Sequence, residues 1–318
     1  MAKPIRTQRG LTIVELMVAL VIGLLITGTA AGLFLQGSRT HAEDDRYARM
    51  LENGRFALDL LAEDLRMTDF WGEMLEPGLI TNGAGAAGED CGLNLFSGTD
   101  RLFYDNNHVG MTSVTLNVNT GGCLAVTGAI DPGTDVLGLK RAAGTSTTSA
   151  KPLPVPNDQV VYLRTNGTTG SFVNSGTPGA GQNDWEYLPR LYYIRNNKLC
   201  RADISANQLG AVPLVPEDGC LADDVQDLHI QFGIDTDGDG VANQYLSNPT
   251  LPQLGTAVLA RVFLLMRATN PDRNYTDQKT YQLGDTPPLG PFADNFYRKV
   301  LSTTVSLRNP TNLIIMNN

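Results

Sequence analysis

Histidine, cysteine and tryptophan are scarce in this chain, at three, four and two among 318 residues. The scarcity of histidine narrows the catalytic options, because imidazole is the commonest general base near neutral pH. His41 falls on a helical stretch, His108 in a polar turn, and His229 on the side of a strand opposite its apolar row. Each reads as surface or satisfied structure. The nucleophile elbow G-x-S-x-G and the phosphate loop G-x-x-x-x-G-K-[ST] are both missing. "GAGAAG" at 83–88 fits G-x-G-x-x-G, but no apolar helix follows it, so a dinucleotide site is not supported. The chain is read as a non-enzyme.

Basic charge is also short, with 24 Lys and Arg against 33 Asp and Glu and a formal net charge of −9. Lys3, Arg6 and Arg9 lie in the first ten residues, so the remainder is more acidic still. An acidic body repels phosphate backbones, and general nucleic-acid binding is not expected. The cysteines, Cys91, Cys123, Cys200 and Cys220, lack C-x-x-C spacing, which argues against zinc. In an exported body their even number reads as two disulfides. Three pairings are possible; Cys91–Cys123 with Cys200–Cys220 is favoured because each closes a local loop. Buried free thiols are the alternative.

The sequence has one long apolar run, residues 11–35, whose single formal charge is Glu15. As a helix, 25 residues span about 38 Å, enough for a hydrocarbon layer with some tilt. The basic head places residues 1–10 on the cytoplasmic side. A cleaved signal peptide would have a shorter apolar core, and a plain anchor leaves Glu15 unexplained. A carboxylate in lipid costs roughly 2.5–3.5 kcal/mol on insertion scales, so it implies a partner or a task. It could also reach the headgroups, five residues into the run. Gly28 and Gly32 form a G-x-x-x-G pair that lets helices approach closely, although glycine is common in membrane helices anyway.

No proline falls between Ile5 and Pro77, so one helix is expected from about 11 to 68. Over its second half, Tyr47, Met50, Gly54, Leu58, Leu61 and Leu65 recur at three- and four-residue steps. Glu43, Asp44, Glu52, Asp59 and Glu63 fall mostly on the other face. Trp71 reads as a core anchor. Residues 77–186 look like loops punctuated by short strands at 102–105, 113–118 and 159–164. The last third has clearer order. "RLYYIRNNKLCR" (190–201) reads as a hairpin around Asn196-Asn197, "LHIQFGI" (228–234) alternates, and "VLARVFLLMR" (258–267) suits a central strand.

"DTDGDGVAN" (235–243) follows a strand and has calcium-loop spacing: Asp235, Asp237 and Asp239 at positions 1, 3 and 5, Gly240 at 6, Val241 at 7, Asn243 at 9. Position 12 is Leu246 rather than a bidentate Glu. Another carboxylate would have to complete the shell. A solvated Asp/Gly-rich hairpin turn is the competing reading.

"RGLTIVELMVAL" resembles the signal of type IV pilins and pseudopilins. The resemblance implies cleavage by a prepilin peptidase between Gly10 and Leu11, methylation of the new amino terminus, and Glu15 as the fifth mature residue. Many members begin with phenylalanine; leucine is a mild departure. In that family the glutamate pairs with the amino terminus of a neighbouring subunit, which makes Glu15 an assembly residue. "LENGRFALDLLAEDLRMTDFWG" (51–72) is similar to PilW-type minor pilins, and its Arg66 and Phe70-Trp71-Gly72 separate that type from major pilins. "YRKVLSTTVSLRN" (297–309) resembles their closing strand. The likeness covers about 1–76, 187–246, 258–267 and 296–309.

The implied fold is α+β and pilin-like: a long amino-terminal helix, its first half transmembrane, packed on an antiparallel sheet with loop-rich insertions. The expected parts are a leader (1–10), a membrane or filament-core half-helix (11–35), an amphipathic half (36–72) and a β-rich body (73–318). Within the body, 77–186 is the variable region and 187–318 the core sheet. The implied role is a minor pilin that initiates assembly at or near the tip of a type IV pilus, with adhesion or twitching as its context. Other pilins, the prepilin peptidase and the inner-membrane assembly platform are its partners. The precursor is expected in the inner membrane with its body in the periplasm, and the mature subunit on the cell surface. A minor pseudopilin of a type II secretion system and a membrane-anchored calcium-dependent adhesin are the rivals.

Overall fold

The computed structural model describes residues 12–74, 76–82, 102–105, 130–147, 161–173, 176–203 and 219–309. The chain divides after Arg49 into two compact units. One helix, α1 (Ile13–Met67), supplies the first unit and opens the second.

In the first unit the helix starts on Thr12, whose Oγ1 accepts the Glu15 amide at 3.3 Å. Thr12 thereby satisfies one of the amides a helix start leaves unpaired. Large apolar side chains from Ile13 to Leu35 are 51–80% exposed, since this stretch has no core of its own. Its hydroxyls are satisfied internally: Thr27 donates to the Gly23 carbonyl and Thr29 to those of Leu25 and Ile26.

The second unit contains the rest of α1, a one-turn helix α2 (Leu251–Leu254) and fourteen described strands in three sheets. The first sheet has the order β1 (Ile80–Asn82), β6 (Gly170–Val173), β5 (Tyr162–Thr165), β7 (Asn183–Tyr187), β4 (Ala142–Thr147). The second runs β10 (Cys220–Ala222), β9 (Lys198–Asp203), β8 (Arg190–Arg195), β3 (Val136–Leu139), β2 (Leu102–Asp105). The third is β12 (Gln244–Leu246), β11 (Val225–Ile234), β13 (Ala257–Arg267), β14 (Arg298–Ser306). All pairings are antiparallel except β1 with β6. The single sheet expected from the sequence is thus three. The region read as loops also holds β1, β3, β4, β6 and β7, several of them four or five residues long and weakly alternating. The strand expected at 113–118 lies outside the described residues.

The expected helix face is the one that packs. Met50, Leu61 and Leu65 are fully buried, and Leu58 nearly so. At Gly54 an added Cβ would fall 2.4 Å from Leu301 Cδ1 and 3.1 Å from Met266, so the bare backbone lies directly on the third sheet. The helix end is stitched down by the Ala142 amide donating to the Phe70 carbonyl at 2.6 Å. Beyond it, Trp71 stacks on Tyr187 and meets Phe172 edge-on, inside the core shared by the first two sheets.

In the carboxyl-terminal region the Asn196-Asn197 hairpin forms with φ of 52° and 57°, the pair of positive angles a two-residue turn requires. Leu228, Ile230, Phe232 and Ile234 share a buried face of β11, and β13 is the central strand between β11 and β14. The opposite face carries Phe263, Leu265 and Val300, covered by Tyr281, Leu283, Leu289 and Phe292 from the irregular segment between β13 and β14. We call that segment the strap.

Candidate functional site

Of the sequence-predicted residues that are described, Asp235, Asp237 and Asp239 come together, as do Cys200 and Cys220. Gly10 and Leu11 lie outside the described residues. Glu15 is exposed in the first turn of α1. There a carboxylate faces the unpaired amides and positive dipole end of the helix, which favours negative charge. Gly28 and Gly32 are open: a Cβ on either would meet nothing within 4 Å. Among the described residues, the surface there that could seat a neighbouring helix is therefore bare.

The acidic loop connects β11 to β12. One oxygen of each of Asp235, Asp237 and Asp239 lies within 4.8 Å of the others. Asp235 is buried and organises the turn, its Oδ1 accepting the amides of Asp237 (3.1 Å) and Gly238 (2.7 Å) and its Oδ2 that of Gly240 (2.7 Å). Burial alone would raise its pKa, but these amides outweigh burial and hold it below the ordinary value. A carboxylate offers about four acceptor sites, so roughly one remains for a cation. Asn243 turns its carbonyl oxygen to the Thr236 amide at 2.9 Å and its Nδ2 toward Asp237. Leu246 pairs with Phe232 in the sheet and adds no ligand.

Cys200 and Cys220 form a disulfide between directly opposed positions of β9 and β10. Cys91, Cys123, His108 and the glycine run at 83–88 are outside the described residues. His41 is exposed on α1. His229 is 2% exposed, placed between Asp135 and Ser247.

Two features have partners that the sequence does not reveal. One is Asp64, 2% exposed on the buried side of α1. It accepts Arg141 Nε at 2.9 Å, Arg190 Nη1 at 2.8 and 2.9 Å, and the Tyr192 hydroxyl at 2.5 Å. Burial would raise its pKa, but the Tyr192 hydroxyl and the two guanidinium groups together pull it below the usual carboxylate range. The second is Gly72, at φ +65°, where an added Cβ would lie 2.6 Å from the Trp185 ring. Only glycine tolerates both the left-handed angle and that approach. The Phe70-Trp71-Gly72 triplet thus has a packing reason: an edge-on ring, a core plug and a turn with no room for a side chain.

Residues 191–309 match the family model described as type IV pilus-assembly protein W. Residues 5–31 match the prokaryotic N-terminal methylation motif. Among solved structures, a type IV-like pilin from Thermus thermophilus is similar at 13% identity and a TM-score of 0.32, over 60% of this chain and 84% of that one. No curated protein matches the chain.

Proposed function

Because this chain is a PilW-type pilin, with the PilW match over its carboxyl-terminal sheet and a methylation motif at its amino terminus, we propose that it is a minor subunit that helps initiate assembly of a type IV pilus at or near the tip. PilW-type pilins are structural proteins rather than enzymes. The observation that carries the reading is the bare first unit: an apolar helix exposed along its length, with Glu15 in its first turn. Such a surface needs lipid first and neighbouring helices afterwards.

In this reading residues 1–10 stay in the cytoplasm, the prepilin peptidase cuts between Gly10 and Leu11, and the new terminus is methylated. Residues 11–35 hold the precursor in the inner membrane with the body in the periplasm. Extraction by the assembly platform then sets Glu15 against the amino terminus of an adjacent pilin, and Gly28 and Gly32 permit close helix packing. The charge that is costly alone in lipid is neutralised by docking. The exposed body sits at the filament end, where its size obstructs no shaft contacts.

The test is the mass of the amino-terminal peptide of protein taken from its own host. A peptide beginning at methylated Leu11 is expected. A start at Met1 or Ala2 would favour an anchored binding protein, and a start near Ala31 or Gly32 a secreted body; either sinks the proposal.

We also propose one calcium ion at Asp235, Asp237 and Asp239 with the Val241 carbonyl, bracing the β11–β12 connection. Asn243 would join after its amide turns over. Calcium should raise the thermal midpoint of the wild type and not that of Asp237→Asn/Asp239→Asn. An equal response in both, or none in either, refutes the site.

A further inference from the structure

His229 lies on the face of β11 opposite the Leu228, Ile230 and Phe232 row, beneath the strap, with its ring 6.2 Å from that of Phe263. Acidic and polar groups from four elements converge on it. Asp135, just before β3, places Oδ2 3.0 Å from Nδ1. The two form an ion pair once the imidazole is protonated. Asp135 is itself fixed, its amide donating to the Leu228 carbonyl at 2.9 Å and its Oδ2 accepting the Ile230 amide at 2.8 Å. Ser247, after β12, lies 3.1 Å from Nε2 and donates to Asp285. Asp285, on the strap, lies 3.7 Å from Nε2. Asp227 and Gln231 flank His229 on the same face of β11. Gly284, next to Asp285 on the strap, is so close to Gln231 that a Cβ would fall 2.9 Å away. Arg261 stands opposite Gln231 in register but lies 3.8 Å over the Tyr245 ring.

The strap has a second attachment of a different kind. Asp277 is fully buried and accepts Arg298 Nη1 at 2.9 Å and the Tyr281 hydroxyl at 2.9 Å. Arg298 also holds Asp294 at 2.6 Å and lies 3.9 Å over the Phe292 ring. A guanidinium keeps its charge at any ordinary pH. One end of the strap is therefore pinned by a permanent cation and the middle by a titratable one.

We propose that His229 is a pH-sensitive latch that holds residues 282–288 of the strap against the outer face of the β11–β13–β14 sheet, and that this part of the strap lifts as the imidazole loses its proton. With His229 charged, one cation sits between Asp135 and Asp285 while Asp227 stays protonated. With His229 neutral and Asp227 ionised, three carboxylates share the cluster with no cation at its centre. Asp135 and Asp227 are held by the strands; Asp285 has a side chain 57% exposed and belongs to the irregular segment, so it is the group that can leave. Its departure uncovers Phe263, Leu265 and Val300.

The titration directions agree with this geometry. Burial would lower the pKa of His229, but Asp135, then Asp285 and Asp227, outweigh burial and raise it above 6.5. Burial, with Asp135 adding to it, pushes Asp227 up to about 7 against the attraction of His229. Of the two, His229 has a strap residue, Asp285, among the groups that tighten its hold on a proton. The stabilisation from Asp227 is complete below 3.8 and lost by about pH 7, and that from His229 is complete below 6.5 and lost as pH rises through its raised value.

Hydrogen exchange on the full chain in detergent micelles, corrected for intrinsic rates, tests the latch. Between pH 6 and pH 9, protection over 282–288 should fall about tenfold for each pKa unit by which the closed strap raises the imidazole. Protection over 272–279, beside the Arg298 anchor, should hold. Asp285→Asn changes an exposed side chain, so the variant should fold, and it should flatten the pH dependence. His229→Gln should flatten it too. Unchanged protection in the wild type, or the same fall in Asp285→Asn, overturns the proposal.

Discussion

Helix α1 carries one carboxylate in each unit that invites comparison, and the two live in opposite surroundings. Glu15 is exposed at the helix start, while Asp64 is buried and accepts from Arg141, Arg190 and Tyr192. The apolar surfaces around them differ in the same way. Ile13 to Leu35 display their side chains, whereas Met50, Leu61 and Leu65 are sealed. The second half of the helix is completed by its own chain. The first half is completed, in the assembly we propose, by lipid and then by other subunits.

Asp64→Ala should have the largest effect on stability. It removes the counter-charge of buried Arg141 and leaves Arg190 with Asp203 alone, at a cost of about 3–5 kcal/mol. Chemical unfolding of the full chain in micelles measures it, and a loss below about 1 kcal/mol, the scale of an exposed pair, would show that the body does not depend on this contact. Gly72→Ala follows, at about 2–4 kcal/mol, from the left-handed backbone angle together with the overlap on Trp185. The pair Gly72→Ala/Trp185→Ala should recover part of that loss, and no recovery would assign the whole effect to the backbone. Glu15→Val should have the smallest effect on the fold, within about 0.5 kcal/mol for a surface change. Yet it should block incorporation into pili after normal cleavage, as read by the ratio of pilus-borne to membrane-borne protein. A large change in unfolding with normal incorporation would reverse the roles assigned to the two carboxylates.

Features encoded within a few residues of one another are legible in the order of side chains. The helix follows from an apolar run without proline, the hairpin from Asn196-Asn197, and the buried face of β11 from strict alternation. The acidic loop is legible as a turn because Asp235 binds amides two, three and five residues on. The strands at 136–139 and 183–187 escape such a reading, since short segments closed on both sides by neighbours lose their alternation. His229 reads as ordinary in the sequence because its partners at 135 and 285 are far away in the chain.

Sequence alone settled the helix, its apolar exposed first half, the buried stripe of its second half and the amino-terminal motif, because each rests on the order of side chains along a few turns. Tertiary structure decided that Asp64 meets arginines 77 and 126 residues away, that Gly72 must be bare, and that a strap closes over a buried histidine. Those outcomes depend on which distant segments share a space. Local pattern does not carry that information, because the free energy of an ion pair or a close approach is fixed by separation in space, not along the chain.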